Sequence, residues 1–322
     1  MPGITVIGGG TGLSVLLRGI KNISDKELTA IVSVADDGGS SGILREDLGM
    51  LPPGDIRSCL LALASEEEGM REILAYRFSG GRLDGQNVGN LLIAAASEIY
   101  GGFQKGLERV SDILKVRGKV VPVCPEKMVL CAELDNGNIV VGESQIPRVA
   151  LREGSAIRDV FLESGACRIS DGARKAIREA DIVIIGPGSL YTSIIPNFLT
   201  DGLAQELSRS EAMKFFIGNV MTQPGETDGM SVADHVRVLT RYAEGVRIQC
   251  VLANNVRLPE DVLRKYTEDG AAQLLPTDED RDYLAAAGIE LVEGAFIESF
   301  KGYIRHDAAR VAEAISCRFR QK

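Results

Sequence analysis

Apolar residues in this chain fall into short runs of mostly β-branched residues and longer stretches with helical spacing. The short runs predict strands at residues 4–7, 28–34, 120–124, 129–133, 139–142, 182–185, 215–217 and 248–252. Helical spacing predicts helices at residues 12–20, 55–65, 69–78, 88–100, 103–114, 173–179, 232–242, 260–265 and 307–320. Five of the strands are apolar on both faces; they begin at Ile4, Leu28, Ile182, Phe215 and Ile248. Such strands, alternating with helices, are typical of a parallel sheet covered on both sides.

The stretch from residue 120 to residue 143 has a different pattern. Its strands are joined by Asp-Asn-Gly-Asn at residues 135–138, which favours a tight hairpin between antiparallel strands. We therefore predict an α/β fold with a parallel-sheet core covered by helices and a small antiparallel β insertion. The chain is predicted to form a single domain over residues 1–322, with the insertion at about residues 118–168.

Polar and glycine-rich loops follow the central strands. Ligands of open parallel sheets bind outside the carboxyl ends of the strands, so a site is expected in the loops that follow these ends. In chain order the loops read GGGTG, ADDGGSSGILRED, GPGSLYTSIIPN, GNVMTQPGETDG and ANNVRLPED. Small polar residues at five corresponding strand ends favour a shared anion or nucleotide site over a set of ordinary turns.

The first loop, Gly8 to Gly12, opens a predicted helix. The amides at a helix N-terminus favour a phosphate or a carboxylate. Four glycines in five positions exceed the needs of a tight turn and indicate that the backbone closely approaches another group. The loop matches neither common phosphate-binding fingerprint, because Leu13 stands where a dinucleotide-binding loop has its third glycine and no lysine follows Gly12.

Two adjacent carboxylates, Asp36 and Asp37, follow the second strand. An acidic residue at this place binds ribose in NAD-dependent dehydrogenases, but the second acid and the Gly-Gly-Ser-Ser-Gly sequence argue against that function. Adjacent carboxylates beside a phosphate-binding loop suit Mg²⁺. These two residues are therefore the candidate metal ligands and, if the protein is an enzyme, the candidate catalytic residues. A solvated turn is the plain alternative.

Four further positions are open between a structural role and a ligand contact. Asp55 stands at a helix start, where it either caps the helix or takes part in the site. Asn87 and Asn90, at the head of the helix at 88–100, either cap it or hydrogen-bond a base, a ribose or a phosphate. Arg305, just before the last helix, either binds a phosphate through two hydrogen bonds or lies on the surface.

Composition narrows the classes of function. The net charge of −9 provides no broad positive field, so no nucleic acid is expected as a partner. The sequence has no apolar run long enough to span a membrane and no basic region typical of a signal peptide, so a cytoplasmic location is expected. The six cysteines form no Cys-x-x-Cys pair and there are only two histidines, which argues against zinc.

Six ordered motifs together resemble the CofD-like superfamily, and most of all its gluconeogenesis-factor (YvcK-type) family. They are GGGTGLSVLLRGIK, VADDGGSSGILR, PPGDIRSCLLAL, NVGNLLIAA, GPGSLYTSIIPNFL and GNVMTQPGETDG, and the resemblance extends from Ile4 to about Asp307. It implies a Rossmann-like core and a nucleotide site, since the related phospho-L-lactate transferases use Mg²⁺ and a guanosine diphosphate leaving group. It also implies a homodimer.

The loops and the resemblance together assign a set of ligand-binding residues. The set is Gly9, Gly10, Thr11, Gly12, Asn87, Asn90, Gly186, Gly188, Ser189, Ser193, Asn219, Tyr266 and Arg305. Tyr266 belongs to it by resemblance alone, since it falls where this branch has a residue associated with UDP-sugar binding. After the acidic pair the sequence GGSSGILRED lacks the aromatic residue and the histidine of the transferases, which counts against phospho-lactate chemistry.

Three functions follow from these observations. The resemblance favours a regulatory protein that binds a nucleotide sugar similar to UDP-N-acetylglucosamine and is linked to gluconeogenic growth and cell shape. The alternative is a Mg²⁺-dependent transferase of the phospho-L-lactate type with a nucleoside diphosphate-linked donor. A nicotinamide dehydrogenase is disfavoured, so NAD is not expected as a cofactor. We expect a ligand-binding regulator before a transferase.

Overall fold

The apolar runs of the sequence form strands that are buried on both faces. The computed structural model describes residues 2–21, 27–65, 68–163, 165, 167–300 and 303–321. Its strands are β1 (Ile4–Gly8), β2 (Leu28–Val32), β3 (Lys119–Pro122), β4 (Leu130–Leu134), β5 (Ile139–Val141), β6 (Ile157–Leu162), β7 (Ile182–Ile185), β8 (Met213–Ile217), β9 (Cys250–Asn254), β10 (Glu290–Gly294), β11 (Ile297–Phe300) and β12 (Tyr303–His306).

Seven of these strands form one parallel sheet in the order β10-β9-β8-β7-β1-β2-β3. All residues of β1, β2, β7, β8 and β9 are buried, as expected for strands with helices on both faces of the sheet. The predicted α/β fold with a parallel core is therefore confirmed. Because β2 lies on one side of β1 and β7 on the other, the order of connection reverses between β1 and β7.

Helices occupy most of the chain between the strands. They are α1 (Gly10–Ile20), α2 (Gly39–Leu48), α3 (Gly54–Leu63), α4 (Glu68–Ala75), α5 (Val88–Ile99), α6 (Phe103–Ile113), α7 (Ile146–Glu153), α8 (Asp171–Glu179), α9 (Ile195–Phe198), α10 (Leu203–Arg209), α11 (Val232–Tyr242), α12 (Glu260–Glu268), α13 (Asp278–Ala286) and α14 (Ala308–Arg320). Among the described residues, no helix is long and apolar enough to cross a membrane.

The antiparallel insertion is present but starts later than predicted. Strands β5, β4 and β6 form a three-stranded antiparallel sheet, which covers residues 130–162. The segment predicted as its first strand is instead β3, which pairs in parallel with β2 at the edge of the main sheet. Its apolar residues, Val120 and Val121, are buried in either arrangement, so the sequence pattern does not distinguish the two sheets.

Two elements near the site were not predicted. Helix α2 begins inside the segment Gly-Gly-Ser-Ser-Gly, a composition that disfavours helices, and a Cβ atom at Gly42 would collide with the carbonyl of Asp37. Strands β11 and β12 form an antiparallel hairpin just before α14. Arg305, predicted to lie in a loop, is therefore in a strand, where pairing with Glu298 fixes its backbone.

Candidate functional site

The first glycine loop and the loop after β7 meet at the point where the strand order reverses. In doubly wound sheets this switch point is where ligands bind. A Cβ atom at Gly12 would lie 2.9 Å from the carbonyl oxygen of Pro187, so the two loops touch through their backbones. Gly10 adopts a φ of +69°, a conformation that favours glycine. These glycines are explained by the packing of one loop on the other.

A cavity of about 840 Å³ opens at this switch point. Its wall combines the head of α1, the loop after β7, the loop after β8, helix α12 and strand β12. Nine residues of the predicted ligand-binding set line it: Gly10, Thr11, Gly12, Gly188, Ser189, Ser193, Asn219, Tyr266 and Arg305. Residues predicted from five separate parts of the sequence therefore surround one space.

The head of α1 contributes backbone donors. The first-turn amides of a helix have no intrahelical partner, and Thr11 and Gly12 of this turn line the cavity. The amide of Gly10 is already engaged, because it donates to Oδ2 of Asp55 at 2.6 Å. Asp55 therefore accepts a hydrogen bond from the N-terminus of α1. It does not cap its own helix, α3, whose N-terminus has no side-chain cap. Gly9 and Gly186 support this region as backbone neighbours: a Cβ at Gly9 would lie 3.0 Å from the Asp55 carboxylate.

The loop after β7 contributes hydroxyl groups. Ser189 precedes a π-helical turn at Leu190–Ile194, and its Oγ accepts a hydrogen bond from Nε2 of Gln223 at 2.7 Å. The other amide atom of Gln223, Oε1, is buried without a hydrogen-bond partner. Oγ of Ser193 lies beside the first loop, 3.3 Å from where a Cβ of Gly10 would stand. This side of the cavity therefore offers polar groups from two loops.

A further part of the wall is formed by α12 and the hairpin. Oη of Tyr266 accepts a hydrogen bond from the amide of Ile304 at 2.6 Å. Nε of Arg305 donates to Oε1 of Glu298 at 2.8 Å, which orients the guanidinium group. His306 lies at the edge of the cavity with Nε2 3.0 Å from the carbonyl oxygen of Gly218, and burial lowers the pKa of its imidazole. This part of the wall adds a cation and two aromatic side chains to the cavity.

Carboxylates form a second feature next to the glycine loop. Asp36 and Asp37 accept hydrogen bonds from the amides of Gly38 and Ser144, both at 2.9 Å. Neither aspartate belongs to the cavity wall described above. Burial, and then repulsion from these two aspartates, raises the pKa of Glu143 to about 8.

Two more acids extend this carboxylate cluster, which we define as Asp36, Asp37, Asp55, Glu143 and Glu226. Burial raises the pKa of Asp55 to about 6. The hydrogen bond from the Gly10 amide lowers this pKa, whereas the negative charge of Asp36 raises it. Burial raises the pKa of Glu226 to about 7, although the hydroxyl of Thr192 donates to it at 3.0 Å. The cluster thus concentrates negative charge that bulk water does not fully screen.

The cluster has the chemistry for a hard cation but few direct ligands. Within the described parts of the chain, no group of three or more His, Cys, Asp or Glu side chains is arranged to hold a metal ion. Mg²⁺ often takes only one or two protein carboxylates, keeps several waters and binds phosphate oxygens of a substrate. Asp36 and Asp37 fit that pattern, and the raised pKa of Glu143 beside them reflects negative charge that a cation would relieve.

Asn87 and Asn90 do not reach the cavity. Oδ1 of Asn87 accepts from the amide of Asn90 at 3.1 Å and caps α5, and Nδ2 of Asn87 donates to the carbonyls of Ala75 and Tyr76. Nδ2 of Asn90 donates to Oγ of Ser40 at 3.1 Å, at the start of α2. Asn87 therefore caps α5, which is one of the two roles that the sequence left open.

Several residues of the site were missed by the sequence reasoning. Gln223 and Glu226 lie in a loop that was selected, but nothing local distinguished them from their neighbours. Glu143 follows β5 of the antiparallel insertion, and only the packing of the insertion against the main sheet brings it to Asp37. His306 directly follows Arg305 in the sequence, but its contact with Gly218 joins segments 88 residues apart.

Comparison with known proteins identifies the family. A sequence model of the family described as 2-phospho-L-lactate transferase CofD matches residues 4–297. The chain belongs to the CofD family. The match includes both glycine loops and the acidic pair, and it ends at the first residue of the hairpin that carries Arg305.

Relatives named gluconeogenesis factor place the chain in one branch of the CofD family. The gluconeogenesis factor of Bacillus subtilis is 43% identical over 315 residues, which cover 98% of this chain and 97% of that protein. The gluconeogenesis factor of Listeria monocytogenes is 41% identical over 315 residues, covering 98% and 94%. A crystal structure of a UPF0052-family protein from Bacillus halodurans has a TM-score of 0.92 and 40% identity, and covers 98% of this chain and 99% of that one. The predicted family resemblance is thus confirmed.

Proposed function

We propose that this CofD-family protein is a regulatory protein that binds a nucleotide sugar, with UDP-N-acetylglucosamine as the ligand to test first. The observation that carries the proposal is the convergence of nine predicted residues on one cavity of about 840 Å³. This volume lies within the range of about 300–1,000 Å³ that is usual for small-molecule sites. The sequence resemblance supplies the ligand class, and the cavity supplies groups that suit it.

The polarity of the wall supports a diphosphate ligand. Amides of Thr11 and Gly12 at the head of α1 favour negative charge, and Arg305 carries a positive charge on another part of the wall. A diphosphate between them would be held by both groups. Asn219 and Gln223 offer amide groups for a base or a sugar, and Tyr303 offers a ring surface.

Binding is tested by isothermal titration of the protein with UDP-N-acetylglucosamine. We expect one site per chain, and an Arg305→Ala variant with affinity lowered at least about tenfold, the effect of losing a charge-assisted hydrogen bond. A ligand at about 100 times its Kd stabilises the folded state by about 2.7 kcal/mol, so the melting temperature must also rise. No heat and no thermal shift at millimolar ligand would refute the proposal.

The regulatory part of the proposal concerns gluconeogenic growth and cell shape. It is supported by the name gluconeogenesis factor that relatives of the same branch carry. A strain that lacks the protein is predicted to grow poorly on gluconeogenic carbon sources and to lose its normal shape. The wild-type chain is expected to restore both properties and the Arg305→Ala variant to restore neither. Full rescue by a variant that no longer binds the ligand would separate the phenotype from the site.

The second candidate function is a Mg²⁺-dependent transferase with a nucleoside diphosphate-linked donor. The carboxylate cluster next to the glycine loop favours it. Asp36 and Asp37 would hold Mg²⁺, which would neutralise charge that develops on a leaving phosphate. Incubation with UDP- and GDP-linked compounds tests it, and the absence of any released nucleoside mono- or diphosphate counts against it.

A further inference from the structure

The hairpin that carries Arg305 is fastened on both sides of that residue. On one side, the amide of Ile304 donates to Oη of Tyr266 on α12 at 2.6 Å. On the other side, the ring of His306 contacts the carbonyl oxygen of Gly218 at 3.0 Å. Gly218 directly precedes Asn219 in the loop after β8. The His306 contact therefore joins the segment of Arg305 to the segment of Asn219, two residues of the cavity wall that belong to separate elements.

The contact with the carbonyl oxygen of Gly218 determines which ring nitrogen of His306 carries the proton. A carbonyl oxygen only accepts hydrogen bonds, so Nε2 must carry the proton and donate it. The side chain of His306 is 9% exposed, and burial lowers the pKa of its imidazole, which keeps the ring neutral at physiological pH. Nδ1 of the neutral ring is then an acceptor at the edge of the cavity.

We propose that His306 is a positioning residue of the ligand site, because its hydrogen bond to Gly218 holds Arg305 and Asn219 at the separation that a bound nucleotide sugar requires. The inference rests on the proposed function and deepens it. Without this hydrogen bond, the hairpin keeps its tie to Tyr266 but loses the hydrogen bond that joins it to the loop after β8 among the described residues. The distance across the wall between Arg305 and Asn219 is then no longer fixed, and ligand binding has to restore it.

Two substitutions of similar size separate positioning from simple folding. In His306→Gln the side-chain amide nitrogen reaches about as far as Nε2 and can still donate to Gly218, whereas in His306→Asn it reaches only about as far as Nδ1. We expect the Asn variant to bind UDP-N-acetylglucosamine at least tenfold more weakly than wild type, and the Gln variant to bind within about threefold of it. His235→Asn is the matched control, because His235 uses Nδ1 to contact the carbonyl of Ser231, so asparagine replaces that group and binding stays unchanged.

The experiment combines titration calorimetry on these variants with proton NMR of the two histidines of the wild-type chain. Addition of UDP-N-acetylglucosamine is expected to shift the ring signals of His306 and to leave those of His235 in place. Equal affinities of the Gln and Asn variants, whether both normal or both impaired, would overturn the inference, as would unmoved His306 signals with bound ligand. If the wild-type chain does not bind the ligand at all, the proposed function fails instead, and the inference falls with it.

Discussion

Oδ2 of Asp55 lies 2.6 Å from the amide nitrogen of Gly10, so a carboxylate of the chain itself occupies part of the anion-binding head of α1. This contact places the carboxylate cluster directly beside the glycine loop. It also restrains the first turn of α1, whose next two amides line the cavity. The first turn of α3, which contains Asp55, is thus hydrogen-bonded to the first turn of α1, at the edge of the cavity.

Loss of the hydrogen bond between Asp55 and Gly10 should weaken ligand binding more than loss of only the negative charge of Asp55. Asp55→Asn keeps an oxygen that accepts from Gly10, whereas Asp55→Ala leaves the amide without a partner. We expect titration calorimetry to give a Kd for UDP-N-acetylglucosamine about tenfold higher for the Ala variant and within about threefold of wild type for the Asn variant. If alanine binds as well as asparagine, the contact does not support the site.

The close approach of the two glycine loops predicts a steric effect. In Gly12→Ala the new methyl group meets the carbonyl of Pro187 at 2.9 Å, and both atoms belong to a constrained backbone. Unfolding by urea should show a loss of about 1–3 kcal/mol, the usual cost of overpacking. Gly69→Ala is the control, because Gly69 lies in α4 and no atom of the described residues comes within 4 Å of the added methyl. That variant should gain up to about 1 kcal/mol from helix propensity, and equal behaviour of the two would contradict the packing described.

The burial of the Glu226 carboxyl group predicts that the stability of the folded protein depends on pH. Its pKa is about 7 in the folded protein and near 4.5 in the unfolded chain, so the folded state binds more protons between these values. The free energy of unfolding therefore falls as the pH rises from about 5 to 8. In Glu226→Gln this contribution is absent, and we expect the variant to lose about 2 kcal/mol less than wild type over that range. Denaturant titrations at pH 5 and pH 8 check this, and parallel curves for the two proteins would contradict it.

Asp37 separates the two candidate functions. If the protein is a transferase, Asp37→Asn should abolish turnover, because a metal ligand is lost, but leave nucleotide affinity within about tenfold of wild type. If the protein is a regulator, the same variant should bind the nucleotide sugar and still complement a deletion strain. A transferase predicts that Asp37→Asn fails to complement the deletion strain, whereas a regulator predicts that it complements. In the product assay, a transferase predicts turnover by the wild-type chain that the variant lacks, and a regulator predicts no product from either protein.

The sequence allows six of the seven strands of the main sheet and nine residues of the cavity wall to be predicted, because these depend on local patterns. Strand β7 is a continuous apolar run, and glycines and a serine follow it closely. The reason for the glycines is less evident from the sequence. Gly12 closely approaches Pro187, a contact between loops 175 residues apart; the loop composition predicted a close backbone approach but not its partner.

Tertiary contacts explain what the sequence does not reveal. Glu143 and Asp37 approach each other only because the antiparallel insertion folds back on the main sheet. Arg305 lies in β12, and the pairing of β12 with β11 was not among the predicted elements. Asn87 has a local partner, the amide of Asn90, and there the sequence already offered the structural role as an alternative.

The most direct test of the central claim is a crystal structure of the protein grown with UDP-N-acetylglucosamine. We predict density for the diphosphate in the cavity between the first turn of α1 and Arg305, with Ser189 and Asn219 within hydrogen-bond distance of the ligand. Density for the ligand elsewhere on the molecule, with this cavity filled only by water, would contradict the assignment of the site.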